Sequence, residues 1–337
     1  MSAEADTTRA PRLAPAVAAH HHLLLLAGDV EPDELETLVL SLVVGARWTT
    51  PPSATLPGVL DLLPDADRHS RATLTGPWAA DAARDALGLP EWAETVVVVD
   101  VDPERSAPAP ALAGGYGDLL DAFGLTHPEG LERQVLDVVH ACARRLAGAV
   151  RTSTGVLLEP HPDSAVDLVV HAPTWLDPEA LAHVLEPALP GLELMPGADA
   201  AAAEGHHLDG YGASWTDVRT SNDGEDDGAA HLAIDVEAAE VLPPALRTAA
   251  WTSGGVLSYA VRWAEHDRTP TARAGLRRRA GIRARIGRAA LALHEAVGGA
   301  ILDEDGFLVA PEQLAQELAN DPRTPATYGS VTRRSCE

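Results

Sequence analysis

The stretch GGAILDEDGFLVAPEQLAQEL, Gly298 to Leu318, decides how the C-terminal part of the chain folds. It is either a calcium-binding loop between two helices or a β-hairpin with an acidic tip. A twelve-residue calcium loop would place Ile301 at position 1, Asp303 at 3, Asp305 at 5, Gly306 at 6, Leu308 at 8 and Glu312 at 12. All but the first suit that motif, but position 1 must put a carboxylate on the metal, and isoleucine has none. Gly298 and Gly299 also stop the incoming helix short of the loop. A hairpin meets neither conflict. AIL and FLV are short apolar runs, and DEDG carries Asp at the first and Gly at the last position of a tight turn. The expected structure is a helix, a hairpin, and a second helix starting at Pro311, with no bound calcium.

Upstream, HACARRLAGAVRTSTGVLLEP follows a similar course: helix, break, strand. Aligning Gly155 with Gly299 superposes GVLLE on GAILD, and each copy continues into an apolar strand and a helix that starts after a proline. A duplicated α-β-β-α unit in the C-terminal two-thirds is the expectation from this match. Between the copies, GYGASWTDVRT and AAHLAIDVEAAE flank the acidic tip SNDGEDDG as an antiparallel pair. GGVLSYAVRWAEHD adds a further strand, with Leu257, Tyr259, Val261 and Trp263 on its buried side.

In the first half, HHHLLLLAGD predicts a strand, EPDELETLVLSLVVG a helix with an acidic first turn, and TVVVVDVD (Thr95 to Asp102) the best strand in the chain. LERQVLDVVHACARRLAGAV, Leu131 to Val150, is the clearest amphipathic helix. Residues 51–76 are proline-rich and predicted irregular. Strands and helices do not alternate strictly, and no glycine-rich βα turn is present, so the fold class is α+β, with mixed or antiparallel sheets covered by helices. The domains predicted are a disordered segment 1–18, an N-terminal α+β domain 19–128, a C-terminal α+β domain 129–319 and a flexible tail 320–337.

Composition then limits the chemistry. The chain has 337 residues with a formal net charge of −25, and every one of its 25 basic residues is arginine. Without lysine there is no Schiff-base catalysis, no Walker-type phosphate loop and no kinase of the usual plan. The composition matches GC-rich bacterial coding. The acidic balance argues against nucleic acid and anionic membranes and favours a basic partner. Two cysteines, Cys142 and Cys336, fit a reducing compartment, and no signal-like apolar run opens the chain, so a cytoplasmic location is expected.

Three groups of residues are candidate sites. RTPTARAGLRRRAGIRARIGR contains no acid between Arg268 and Arg288. Its Arg273, Arg277, Arg278, Arg279, Arg283 and Arg285 are candidate interaction residues, or they pair with the chain's own surplus of carboxylates. GHHLDG brings His206, His207 and Asp209 together in a glycine-bounded loop, a candidate metal site. Cys142 lies within a helical pattern and is expected to pack rather than react. No cofactor motif is present. The function expected is non-enzymatic protein–protein contact of adaptor or immunity type; the alternative is a metal-assisted hydrolase built on His206, His207 and Asp209.

Overall fold

The structure is a computed structural model that describes residues 11–63, 71–107, 122–124, 126–195, 210–217, 230–264 and 273–320, with the backbone alone for 163 and 273–277. Contacts divide the chain into two compact units. Unit 1 is Met1–Ala165 with Pro243–Ala245 and Asp305–Phe307; unit 2 is Val166–Leu242, Leu246–Glu304 and Leu308–Glu337. The fold is α+β, with seven helices and two seven-stranded antiparallel sheets among the described residues. The division falls at 165/166 rather than at the 128/129 boundary read from the sequence. The long amphipathic helix belongs with unit 1 because Val135, Leu136, Val139 and Cys142 close that unit's core.

In chain order, unit 1 runs α1 (Pro15–Ala18), β1 (His22–Leu26), α2 (Pro32–Leu42), β2 (Arg47–Thr50), β3 (Gly58–Asp61), β4 (Ala72–Ala79), α3 (Arg84–Leu87), β5 (Thr95–Val101), β6 (Arg105–Ser106), β7 (His127–Pro128), α4 (Gly130–Arg145), β8 (Ala149–Arg151) and β9 (Leu157–Leu158). Its sheet has the order β2-β3-β4-β5-β1-β8-β9, while β6 and β7 pair separately. β1 is central and buried at all five residues. Leu24 and Leu26 face α2 and α4. Leu23 and Leu25 point the other way, into a cluster with Leu13, Ala18, Ala80 and Ala93. The segment predicted irregular, 51–76, instead supplies β3 and part of β4. Its prolines mask the pattern, but Leu60 and Leu74 alternate inward as strand residues do.

α2 starts where its local chemistry favours a start. Glu31 is the N-cap, Pro32 takes the first helical position, and the Glu34 carboxylate accepts the Glu31 N–H at 2.8 Å in a reciprocal capping box. Leu35 and Val39 form its buried stripe.

Unit 2 comprises β10 (Leu168–Ala172), α5 (Pro178–Leu185), β11 (Glu193–Leu194), β12 (Tyr211–Asp217), β13 (Ala230–Ala238), β14 (Leu257–Trp263), α6 (Arg273–Val297), β15 (Ala300–Asp303), β16 (Leu308–Val309) and α7 (Pro311–Asn320). Its sheet order is β11-β12-β13-β14-β10-β15-β16. Tyr259, Val261 and Trp263 face the core as the alternation requires. Ser258 and Ala260, on the other face, are buried as well.

The stretch that posed the first question is a hairpin: Ile301 pairs with Val309 and Leu302 with Leu308. Ile301, the position where calcium would need a carboxylate, is a core residue of unit 2. Asp305 accepts an ion-pair contact from Arg144 Nη1 at 3.1 Å, both residues belonging to unit 1.

The α-β-β-α repeat anchored on Gly155 and Gly299 is not confirmed. Gly155 lies between β8 and β9, whereas Gly299 directly precedes β15. The recurrence that does exist is larger and set differently. Each sheet has its first strand in the interior, its second to fifth strands on one side and its last two on the other. On this correspondence the counterpart of Gly299 is Gly148. A Cβ on Gly148 would collide with the Leu25 carbonyl, and one on Gly299 with the His171 carbonyl, the same position of the central strand in each unit. Glycine is needed at both because a helix turns there into a strand that must lie against the centre of the sheet.

Two tyrosines tie down the β10–α5 connection. The Tyr259 hydroxyl donates to Thr174 O at 2.7 Å and accepts from Leu176 N at 2.8 Å, and the Tyr211 hydroxyl donates to Leu176 O at 2.7 Å. Tyr259→Phe removes two of these bonds at nearly constant volume. It is expected to lower the unfolding free energy by about 1–2 kcal/mol in urea titration.

Candidate functional site

A polar network in unit 1 joins four segments around Glu132, in the first turn of α4. Its carboxylate is fully buried. It accepts from His22 Nε2 at 3.0 Å, from the Glu104 N–H at 3.0 Å, and from Arg105 through Nε at 3.1 Å and Nη2 at 2.7 Å. The Ser153 N–H donates to His22 Nδ1 at 3.1 Å. That bond fixes the tautomer: Nδ1 is the acceptor, so the ring proton is on Nε2 and points at Glu132. Burial lowers the His22 pKa, outweighing the hydrogen bond and charge of Glu132, so the ring is neutral at pH 7. Arg105 completes the arrangement, with Nη2 on Ser153 Oγ at 2.8 Å and its guanidinium 4.9 Å above the Phe123 ring. Both His22 ring nitrogens are used, and the Glu132 charge is balanced by Arg105. This is a closed structural network that fixes one end of the central strand to α4 and β6.

Beside it, the β6–β7 pair carries Ser106, His127 and, one residue beyond β7, Glu129. These are the residue types of nucleophilic catalysis. A relay needs histidine to contact serine with one nitrogen and the carboxylate with the other. Here His127 Nε2 lies 3.0 Å from Ser106 Oγ and 3.0 Å from Glu129 Oε1, and the Ser106 hydroxyl itself donates to Glu129. That hydroxyl bond is the main cause of a lowered Glu129 pKa. The three groups form a triangle on one nitrogen, which pins the two short strands together and points the serine proton at the Glu129 carboxylate rather than at the histidine. No sequence motif announces either cluster; their members lie 21 to 131 residues apart except for the His127–Glu129 contact.

The predicted sites fare differently. His206, His207 and Asp209 lie outside the described residues. Among the described residues no group of three or more His, Cys, Asp or Glu side chains could hold a metal ion. Arg273 and Arg277 lie in α6, with side chains outside the description. Arg279 is buried, and Arg278 and Arg279 both have interaction partners. Arg283 Nη2 is 3.6 Å from Glu317. Arg285 reaches Asp217 at 3.1 Å and lies 4.6 Å above the Trp215 ring. Arg283 and Arg285 thus meet the chain's own carboxylates. Cys142 is buried, and burial, with the Asp305 carboxylate nearby, pushes its thiol up to about 12, so it packs and is not a nucleophile.

A third feature of unit 1 is apolar. A small apolar cleft, partly open to solvent, lies between the start of α2 and the sheet. Leu26, Val30, Leu35, Trp48, Leu74 and Val97 line it, and Glu31 is the one charged residue on its wall.

Comparison with protein-family models, with curated proteins and with solved structures gives no match. No described helix is long and apolar enough to cross a membrane.

Two tests follow from the polar network and its neighbours. Glu132→Gln leaves Arg105 beside a neutral amide, and a loss of about 3 kcal/mol is expected in denaturant unfolding, near the low end for breaking a buried ion pair. The second concerns pH. Burial lowers the pKa of His140 from 6.5 to about 4, with Arg144 and Arg133 adding to the effect, and burial alone lowers His171 to about 4. Between pH 6.5 and about 4 the unfolded chain therefore binds protons that the native chain does not. Stability should fall as pH drops through that window. His140→Gln should flatten this decline in a series of thermal melts; an unchanged slope would contradict it.

Proposed function

We propose that this protein acts by binding another protein through its acidic surface, and that the partner surface is basic. One observation carries this reading: acids outnumber bases by 50 to 25, and several of the described arginines are paired with carboxylates within the chain. Arg105 meets Glu132, Arg133 meets Asp137, Arg144 meets Asp305, Arg262 meets Asp235, Arg283 meets Glu317 and Arg285 meets Asp217. Each pair removes one acid and one base, so the surplus behind the net charge of −25 is left to face outward. A surface of that sign attracts basic partners over distances up to the Debye length, and it repels nucleic acid and anionic lipid. The satisfied His22–Glu132–Arg105 network supports the same reading, since its polar groups are engaged with one another.

The partner is expected to co-purify with the tagged full chain at about 50 mM salt and to leave as salt rises toward about 500 mM, where screening cuts the Debye length severalfold. Mass spectrometry of the eluate should show a protein rich in lysine and arginine. Recovery of the chain with no such partner, or with one indifferent to salt, would count against the proposal.

A further inference from the structure

All seven tryptophans lie among the described residues, and Trp92 is the one most open to solvent, at 38% exposure. It sits in a turn, Pro90 to Ala93, closed by the Ala93 N–H donating to the Pro90 carbonyl at 3.2 Å. A large apolar side chain exposed on a loose loop would call for no explanation. This turn is clamped. Leu89 before it and Ala93 at its end are buried in the second cluster of unit 1. The Glu94 N–H donates to the Leu26 carbonyl at 3.1 Å, and the Ala80 N–H donates to the Glu94 carbonyl at 3.0 Å, so the residue after the turn is tied to the sheet. Arg84, on α3, closes the clamp. Its Nη1 donates to the Pro90 carbonyl and, at 2.8 Å, to the Glu91 carbonyl, and its Nη2 donates to the Ala93 carbonyl at 2.8 Å.

One guanidinium thus holds three carbonyls of a four-residue turn in place. The two central residues, Glu91 and Trp92, are both exposed. The Trp92 indole makes no hydrogen bond or ring contact among the described residues. An exposed aromatic on a backbone already fixed gives up little conformational freedom when a partner covers it, and tryptophan is the side chain most favoured at the centres of interfaces.

The neighbours of Trp92 decide which partner fits. Glu91 shares the turn and Glu94 follows two residues on, and both are exposed. The Glu94 carboxylate lies against Gly28, which brings the turn beside the connection that carries the exposed Asp29. No arginine occurs between Arg84 and Arg105. The face of an indole attracts a cation through its ring quadrupole, and nearby carboxylates reinforce that attraction. Arginine suits the arrangement better than lysine, because its planar guanidinium can lie on the ring while its N–H groups still donate to acids at the edge.

We propose that the clamped turn Pro90–Ala93 is the anchor point for the basic partner, with an arginine side chain of that partner stacked on Trp92 and paired at its edge with Glu91 and Glu94. This rests on the acidic-surface reading above and adds where the partner is held and which of its side chains is recognised.

The test uses the full chain and two dye-labelled, amidated peptides of alternating glycine and cation, one with arginine and one with lysine. Binding is followed by fluorescence polarisation at about 50 mM salt. The arginine peptide is expected to bind about threefold more tightly, as stacking on an exposed indole allows. Trp92→Ala, at an exposed position, should keep the fold by circular dichroism and bring the arginine peptide down to the lysine level, while Trp92→Phe should retain part of the preference. Glu91→Gln with Glu94→Gln should weaken both peptides more than Asp33→Asn with Glu36→Gln, which removes the same charge from α2. Salt-sensitive binding that shows no preference for arginine, or a preference that persists in Trp92→Ala, would overturn the anchor while leaving the acidic-surface reading standing. Equal losses in the two charge variants would overturn the assigned roles of Glu91 and Glu94. Binding of neither peptide would overturn the anchor, and the acidic-surface reading would then stand or fall on the co-purification experiment.

Discussion

The first strand of each unit has no free edge. β1 is hydrogen-bonded on one side to β5 and on the other to β8, and β10 likewise to β14 and β15. The strand made first must therefore wait for partners about 70 residues later in unit 1 before its backbone is satisfied. This explains the composition of β1. HLLLL is apolar on both faces because both are covered, Leu24 and Leu26 by helices and Leu23 and Leu25 by the second cluster. It also explains the glycines at Gly148 and Gly299, where the chain must approach that strand closely after leaving a long helix.

The exception within β1 is His22, and the polar assembly follows from it. A histidine on the core-facing side of a buried strand needs partners for both nitrogens. Ser153 and Glu132 supply them, the Glu132 charge then needs a cation, and Arg105 on the short β6 strand provides it. The result fastens β1, α4, β6 and the segment after β8 at one point. An ion pair of this kind adds little net stability over apolar packing but resists rearrangement, since any slip would strand a buried charge.

The two units follow one plan with different contents at equivalent places. Where unit 2 holds its strand–helix connection with Tyr259 and Tyr211, unit 1 has Val97 and Gly58, with the Trp48 ring against Gly58. The same connection in unit 1 carries a concentration of carboxylates.

Local chemistry in the sequence settled a good deal. The hairpin at Ala300–Val309 was legible because Ile301 cannot ligate a cation and because glycines end the preceding helix. The inward face of Tyr259, Val261 and Trp263 was legible from alternation, and α2 from its cap and proline. The absence of lysine excluded whole reaction classes without any structure. The sequence did not show β3 within its proline-rich surroundings, the true register of the repeat, the convergence of residues 22, 105, 132 and 153, or the cleft. Periodicity and capping are properties of a few neighbouring residues, so they can be read locally. Which strand lies beside which depends on packing free energies between segments tens of residues apart, and that was decided only when the chain closed on itself.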